Sequence, residues 1–158
     1  ENPVAPPRLV SETMLQLADW HLLAGDSKRA FTQYATLWDY ASLHDPEILP
    51  LLAKPVALIK PRAGNPDRPP EYARGPSQDG FIEYKGIVNQ RGRLRDLSLV
   101  AKEPGDLSTA KYYRASRATR YRPALVDGVP VETTGVSVVH RFRYYERLAT
   151  PMAEPSGG

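Results

Sequence analysis

Hydrophobic positions along the chain change period twice, and those changes divide it. From Ser11 and Glu12 onward, Leu15, Ala18, Leu22 and the pair Trp20 and Leu23 recur at helical spacing, predicting a helix with a broad apolar face. Gly25-Asp26-Ser27 stops it, and Asp26 or Ser27 is placed to cap a second helix from about Lys28 to Ser42. Ala30, Tyr34, Leu37, Trp38 and Ala41 form its inner side. Asp45-Pro46-Glu47 starts a third helix, with proline at its first position and Ile48, Leu51, Leu52, Val56 and Leu58 following until Pro55 kinks or ends it. Residues 1–10, with three prolines, read as an extended leader. From Phe81 the period becomes two. Phe81–Val88 and Leu94–Ala101 are predicted strands around the turn Asn89-Gln90-Arg91-Gly92, with Leu97, Leu99 and Ala101 on one face.

After the break at Pro104-Gly105, Asp106 caps an expected helix from Leu107 to about Tyr121, with Leu107, Ala110, Ala118 and Tyr121 toward the sheet. Asp127-Gly128 between Ala124–Val126 and Val129–Val131 predicts a tight hairpin, because both turn residues tolerate positive φ. The last strand is the longest. Val136, Val138, Phe142 and Tyr144 fall on one side, with His140 among them, and Ser137, Arg141 and Arg143 on the other. The expected fold class is α+β: a helical hairpin, then a small antiparallel sheet with one helix. Expected modules are 8–60 helical, 61–78 a proline-rich linker, and 79–148 the α+β domain.

Charge sharpens the division. Residues 1–80 hold 8 Lys/Arg against 10 Asp/Glu, whereas residues 81–150 hold 13 against 7, so the second part has a basic surface. There is no cysteine, which excludes disulfides and thiolate chemistry. No run approaches the ~20 apolar residues of a membrane helix, and no signal-peptide pattern opens the sequence.

Candidate catalytic chemistry is sparse. His21, His44 and His140 are far apart and lack metal-ligand spacing; His21 is expected to pack in or near the core. There is no G-x-S-x-G, phosphate-binding loop or dinucleotide fingerprint. Asp45 and Glu47 are better explained by helix initiation than as a catalytic pair. The expectation is no enzyme and no cofactor. Lys111, Arg114, Arg117 and Arg120 recur near helical spacing beside Tyr112 and Tyr113, a stripe that could follow phosphates. No RNA- or DNA-reading signature accompanies it, so a solvated helix face is the plainer reading.

Two resemblances add to this. Leu17-Ala18, His21, Gly25, Ala30 and Tyr34 resemble one tetratricopeptide repeat, in which small residues let paired helices approach. The second part resembles the C-terminal domain of the TonB family of energy transducers. Gly80–Tyr84, Gln90-Arg91-Gly92, Leu97–Val100, Arg120–Ala124, Asp127–Val131 and Phe142–Tyr144 carry that likeness in order, over about 65 residues. Pro70-Glu71-Tyr72-Ala73 resembles the family's proline-tyrosine segment, with Ala73 in place of a second proline. The resemblance implies a periplasmic domain whose last strand accepts an extended peptide from an outer-membrane transporter. The expected partner-binding residues are thus Tyr72, Val136, Val138, Val139, His140, Arg141, Phe142, Arg143 and Tyr144. Arg141 and Arg143 would favour an acidic peptide, and self-association through the same edge is an alternative use of it. A working transducer of this family also needs a membrane helix and a long rigid spacer, neither of which lies in these residues. The expectation is therefore docking within a cell-envelope assembly, with energy transduction as the alternative and nucleic-acid binding as the second.

Overall fold

The structure, a computed structural model, describes residues 4–149. Helix α1 (Pro7–Leu23) begins earlier than its periodicity suggests, because Pro7 lacks only an N–H that the first helical turn leaves unpaired anyway. An Arg8–Glu12 pair at 2.8 Å braces that turn. Helix α2 (Ser27–His44) is capped by Asp26, whose carboxylate accepts from the Arg29 amide at 3.1 Å. Ala18, Leu22, Ala30, Tyr34, Leu37 and Ala41 close the core between the two helices. Trp20, expected on the apolar face of α1, is instead exposed, as is Leu17 of the repeat-like spacing. His21 is half-buried, edge-on to Trp20.

The third helix is short: a 3-10 turn (Pro46–Ile48) and one turn of α3 (Leu49–Leu52). Val56 and Leu58 do not continue it. They lie in strand β1 (Val56–Ile59), which pairs antiparallel with β4 (Arg120–Arg122). Pro55, which cannot supply an N–H inside a helix, stands at that change.

Strand β2 (Arg74–Val88) begins seven residues before Phe81 and is central in a three-stranded antiparallel sheet. Its neighbours are β3 (Leu94–Glu103) and β7 (Thr133–Arg147), giving the order β3-β2-β7. Strand β3 departs from the predicted alternation: Asp96 has φ +53°, and the β2–β3 register shifts twice. Bulges of this kind re-aim side chains, and Leu99 is exposed, as is Val100. The predicted helix after Asp106 is only α4 (Ala110–Arg117). Leu107 packs ahead of it, Ala110 and Ala118 are exposed, and Tyr121 belongs to β4, so none of the predicted set faces the sheet from the helix. Tyr112 and Ala115 supply the inner face instead.

Strands β5 (Ala124–Val126) and β6 (Val129–Val131) form the predicted hairpin, with positive φ at Asp127 (50°) and Gly128 (78°). A Cβ at Gly128 would lie 2.9 Å from the Cβ of Trp38, so this turn sits directly on α2. Leu125 enters the helical core, joining Ile48 and Leu52. A charged clamp fixes the same contact. Arg122 donates to both oxygens of Asp19, at 2.6 Å from Nη2 and 2.9 Å from Nε, and the Tyr34 hydroxyl donates to Asp19 at 2.8 Å. The helices and the sheet region thus meet through β1–β4, Leu125 and the Asp19–Arg122 pair.

Candidate functional site

The alternation along β7 places Val138, His140 and Phe142 in the core and half-buries Val136 and Tyr144. Ser137, Arg141 and Arg143 are exposed on the other face, with Val139 half-buried between them. Phe142 packs with Ile82, Tyr84, Leu107 and Tyr112, and Val138 with Val88, Leu94 and Tyr121. Burial of alternate side chains fixes the register, since a one-residue slip would turn this whole set outward.

In an antiparallel pair, alternate residues turn both backbone groups toward the neighbour or away from it. Two side-chain contacts show which residues turn away. Lys60 Nζ donates to the carbonyl of Val139 at 2.5 Å, and the Arg143 amide donates to Asn65 Oδ1 at 3.1 Å. Odd-numbered residues from Ser137 to Arg143 therefore direct N–H and C=O to the side opposite β2. Among the described residues no strand pairs with them there. This is an edge, with backbone donors and acceptors set at strand spacing.

The edge is not bare. Residues 60–68 run beside it in the direction of β7: Lys60 meets Val139, Asn65 meets Arg143, and the Arg68 guanidinium lies 5.8 Å from the Tyr145 ring. Ala63 packs against the Phe142 cluster. The Tyr112 hydroxyl donates to the Gly64 carbonyl at 3.1 Å, and Lys111 donates to the Asn65 carbonyl. Between this segment and Val139–Arg141 is a cleft of about 470 Å³. A second cleft of about 640 Å³ lies farther along, lined by Pro66, Pro69, Leu107, Arg114 and Tyr144–Arg147.

Electrostatics differ between the two faces. On the buried face His140 Nε2 is 2.9 Å from the Ser116 hydroxyl, and burial, helped by the charge of Lys60, pushes its pKa below the usual imidazole value. Burial, with the Asp67 carboxylate nearby, pushes the Tyr112 phenol up to about 12, so it remains a donor to Gly64. On the exposed face Arg143 meets Asp79 at 3.2 Å, both well exposed and so weakly coupled. Arg141 has no ion pair among the described residues.

The predicted residues Val136, Val138, Val139, His140, Arg141, Phe142, Arg143 and Tyr144 thus share one strand but divide by role. Val138, His140 and Phe142 hold the strand on the core. Val139, Arg141 and Arg143 present its open backbone. Tyr72 stands apart, 86% exposed on the 3-10 turn Glu71–Ala73, beside the C-terminal end of β7 where Leu148 donates to Ala73 at 3.0 Å. Sequence reasoning missed Lys60 and Asn65, and it named Tyr112 only beside the basic stripe. Only the proline spacing of 61–70, which favours an extended segment, could have hinted at a strap.

The basic stripe does not form as spaced. Lys111 is engaged with Asn65, Arg114 and Arg117 are exposed on α4, and Arg120 lies half-buried in β4. Burial lowers the Arg120 pKa, with Arg93 adding to the effect. Among the described residues no group of three His, Asp or Glu side chains is placed to hold a metal, and no helix is long and apolar enough to cross a membrane. Compared with known proteins, the chain matches no family model and no curated protein.

Proposed function

We propose that this chain is a non-catalytic protein–protein interaction module, TonB-C-like in its second part, that binds an extended partner peptide by strand addition at β7. The observation that carries the reading is the edge itself: β2 flanks one side of Val136–Tyr144, and on the other, among the described residues, no strand pairs and side chains meet the Val139 carbonyl and the Arg143 amide. An added strand would replace those side-chain contacts with a ladder, its affinity coming from main-chain hydrogen bonds and its selectivity from alternate side chains. The exposed Arg141 beside Arg143 selects acidic residues. Tyr72 extends the surface past the end of the strand. The order hairpin, helix, hairpin, long strand supports the likeness to the TonB C-terminal domain, and with it a place in a bacterial periplasm. There the α1–α2 hairpin, tetratricopeptide-like in its small residues at Ala18 and Ala30, would serve as a second docking surface in an envelope assembly.

The test is capture of a fluorescent peptide of alternating valine and glutamate by the folded protein. Arg141→Pro and, separately, Val139→Pro each delete an N–H on the open side and leave the groups facing β2 intact, so each should abolish capture with the sheet still folded. Retained capture by both variants refutes docking at this edge.

A further inference from the structure

We infer that residues 60–68 are a self-occupant of the β7 edge, a strap that a partner must displace before its strand can pair. This rests on the reading of β7 as the docking edge and adds its regulation. The strap occupies the seat an incoming strand would take, along the open side from Val139 to Tyr145. Yet it cannot become that strand. Pro61 and Pro66 have no N–H to donate, and the Lys60 and Asn65 bonds to the edge come from side chains rather than a backbone ladder. Lys60 satisfies one carbonyl and Asn65 one amide, while Tyr112 and Lys111 hold the strap's own carbonyls at Gly64 and Asn65. Such an arrangement shields an edge from other chains without sealing it.

The same contacts define what displaces it. Once the strap leaves, Lys111 on α4 loses its carbonyl partner and then stands with Arg141 and Arg143 at one edge. Three cations at an opened edge favour an extended peptide carrying carboxylates at alternate positions, which restores the lost backbone bonds and meets the charge together. A partner must also bear the cost of opening, because apparent affinity falls with the fraction of molecules whose edge is free.

The experiment weakens the strap at its two exposed contacts, Lys60→Ala with Asn65→Ala, and reads two quantities. One is hydrogen exchange of the Arg143 amide in the free protein, with the Phe142 amide as the control facing β2. The other is affinity for the alternating valine–glutamate peptide, with a valine–lysine peptide as comparison. Two lost hydrogen bonds predict exchange at Arg143 and affinity for the acidic peptide each rising about tenfold, with Phe142 unchanged. Faster exchange without capture of either peptide upholds the strap and counts against β7 as a docking edge. Unchanged exchange at Arg143 overturns the strap, whatever the peptide does. Self-association of the double variant in place of peptide capture upholds the strap and assigns the open edge to a second copy.

Discussion

Replacing Arg122 by alanine tests how the helices are joined to the sheet region. Arg122 and Asp19 lie 103 residues apart, and their side chains are only 13% and 12% exposed. Removing the guanidinium leaves the Asp19 carboxylate buried with the Tyr34 hydroxyl as its remaining side-chain donor. Breaking a buried pair on one side costs about 3–5 kcal/mol, since the other charge stays without compensation. For a chain of this size each kcal/mol lowers Tm by roughly 2–4 °C, so the variant should melt roughly 6–20 °C lower. Tyr34→Phe should cost less, about 1–3 kcal/mol, because it removes one hydrogen bond and leaves the ion pair. The assay is urea unfolding followed by circular dichroism and tyrosine fluorescence, with Asp19→Asn completing a double-mutant cycle. A loss below about 1 kcal/mol for Arg122→Ala would place the pair among ordinary surface bridges. Two separate transitions in the wild-type protein would show that the clamp and Leu125 do not join the parts into one cooperative unit.

Other consequences follow from single contacts. Leu125→Ala should destabilise by about 2–5 kcal/mol, because Leu125 is buried in the helical core, whereas Val126→Ala on the exposed side of the same hairpin should stay within about 0.5 kcal/mol. Gly92→Ala should cost at least about 2 kcal/mol: its φ is +72°, and a Cβ there would lie 1.9 Å from the Tyr121 carbonyl oxygen. Chemical denaturation measures all three. Because burial depresses the folded-state pKa of His140 below the ordinary 6.5, the unfolded chain takes up that proton first. The stability this site contributes is therefore complete above pH 6.5 and falls as pH drops from there through the lower folded value. His140→Gln, which can still bond Ser116, should flatten that part of the pH profile; an unchanged profile would assign it to other groups.

Local signals were legible wherever a single element decided the pattern. The alternation from Val136 to Tyr144 gave both faces of β7, Asp127-Gly128 gave the hairpin turn, and Asp26-Ser27 marked the start of α2, where Asp26 of the two is the cap. Errors gather where a distant partner overrides spacing. Leu51, Leu52, Val56 and Leu58 imitate a helical stripe, but Val56 pairs with Arg122 far along the chain. Arg120–Arg122 carries a helix former on either side of Tyr121, and it becomes a strand because β1 is there to pair with it. Leu99 fits a core alternation until the bulge at Asp96 turns the strand. The strap was invisible for a different reason. Lys60, Asn65 and Lys111 are ordinary surface residues in composition, and only the path of the chain brings them against β7.

The most direct measurement on the docking edge is residue-resolved amide exchange along β7 with and without the valine–glutamate peptide. Strand addition predicts an alternating response: the amides of Val139, Arg141 and Arg143 gain protection, while those of Val138, His140 and Phe142, already bonded to β2, stay as they were. Uniform protection of both sets, or protection confined to residues outside β7, contradicts it.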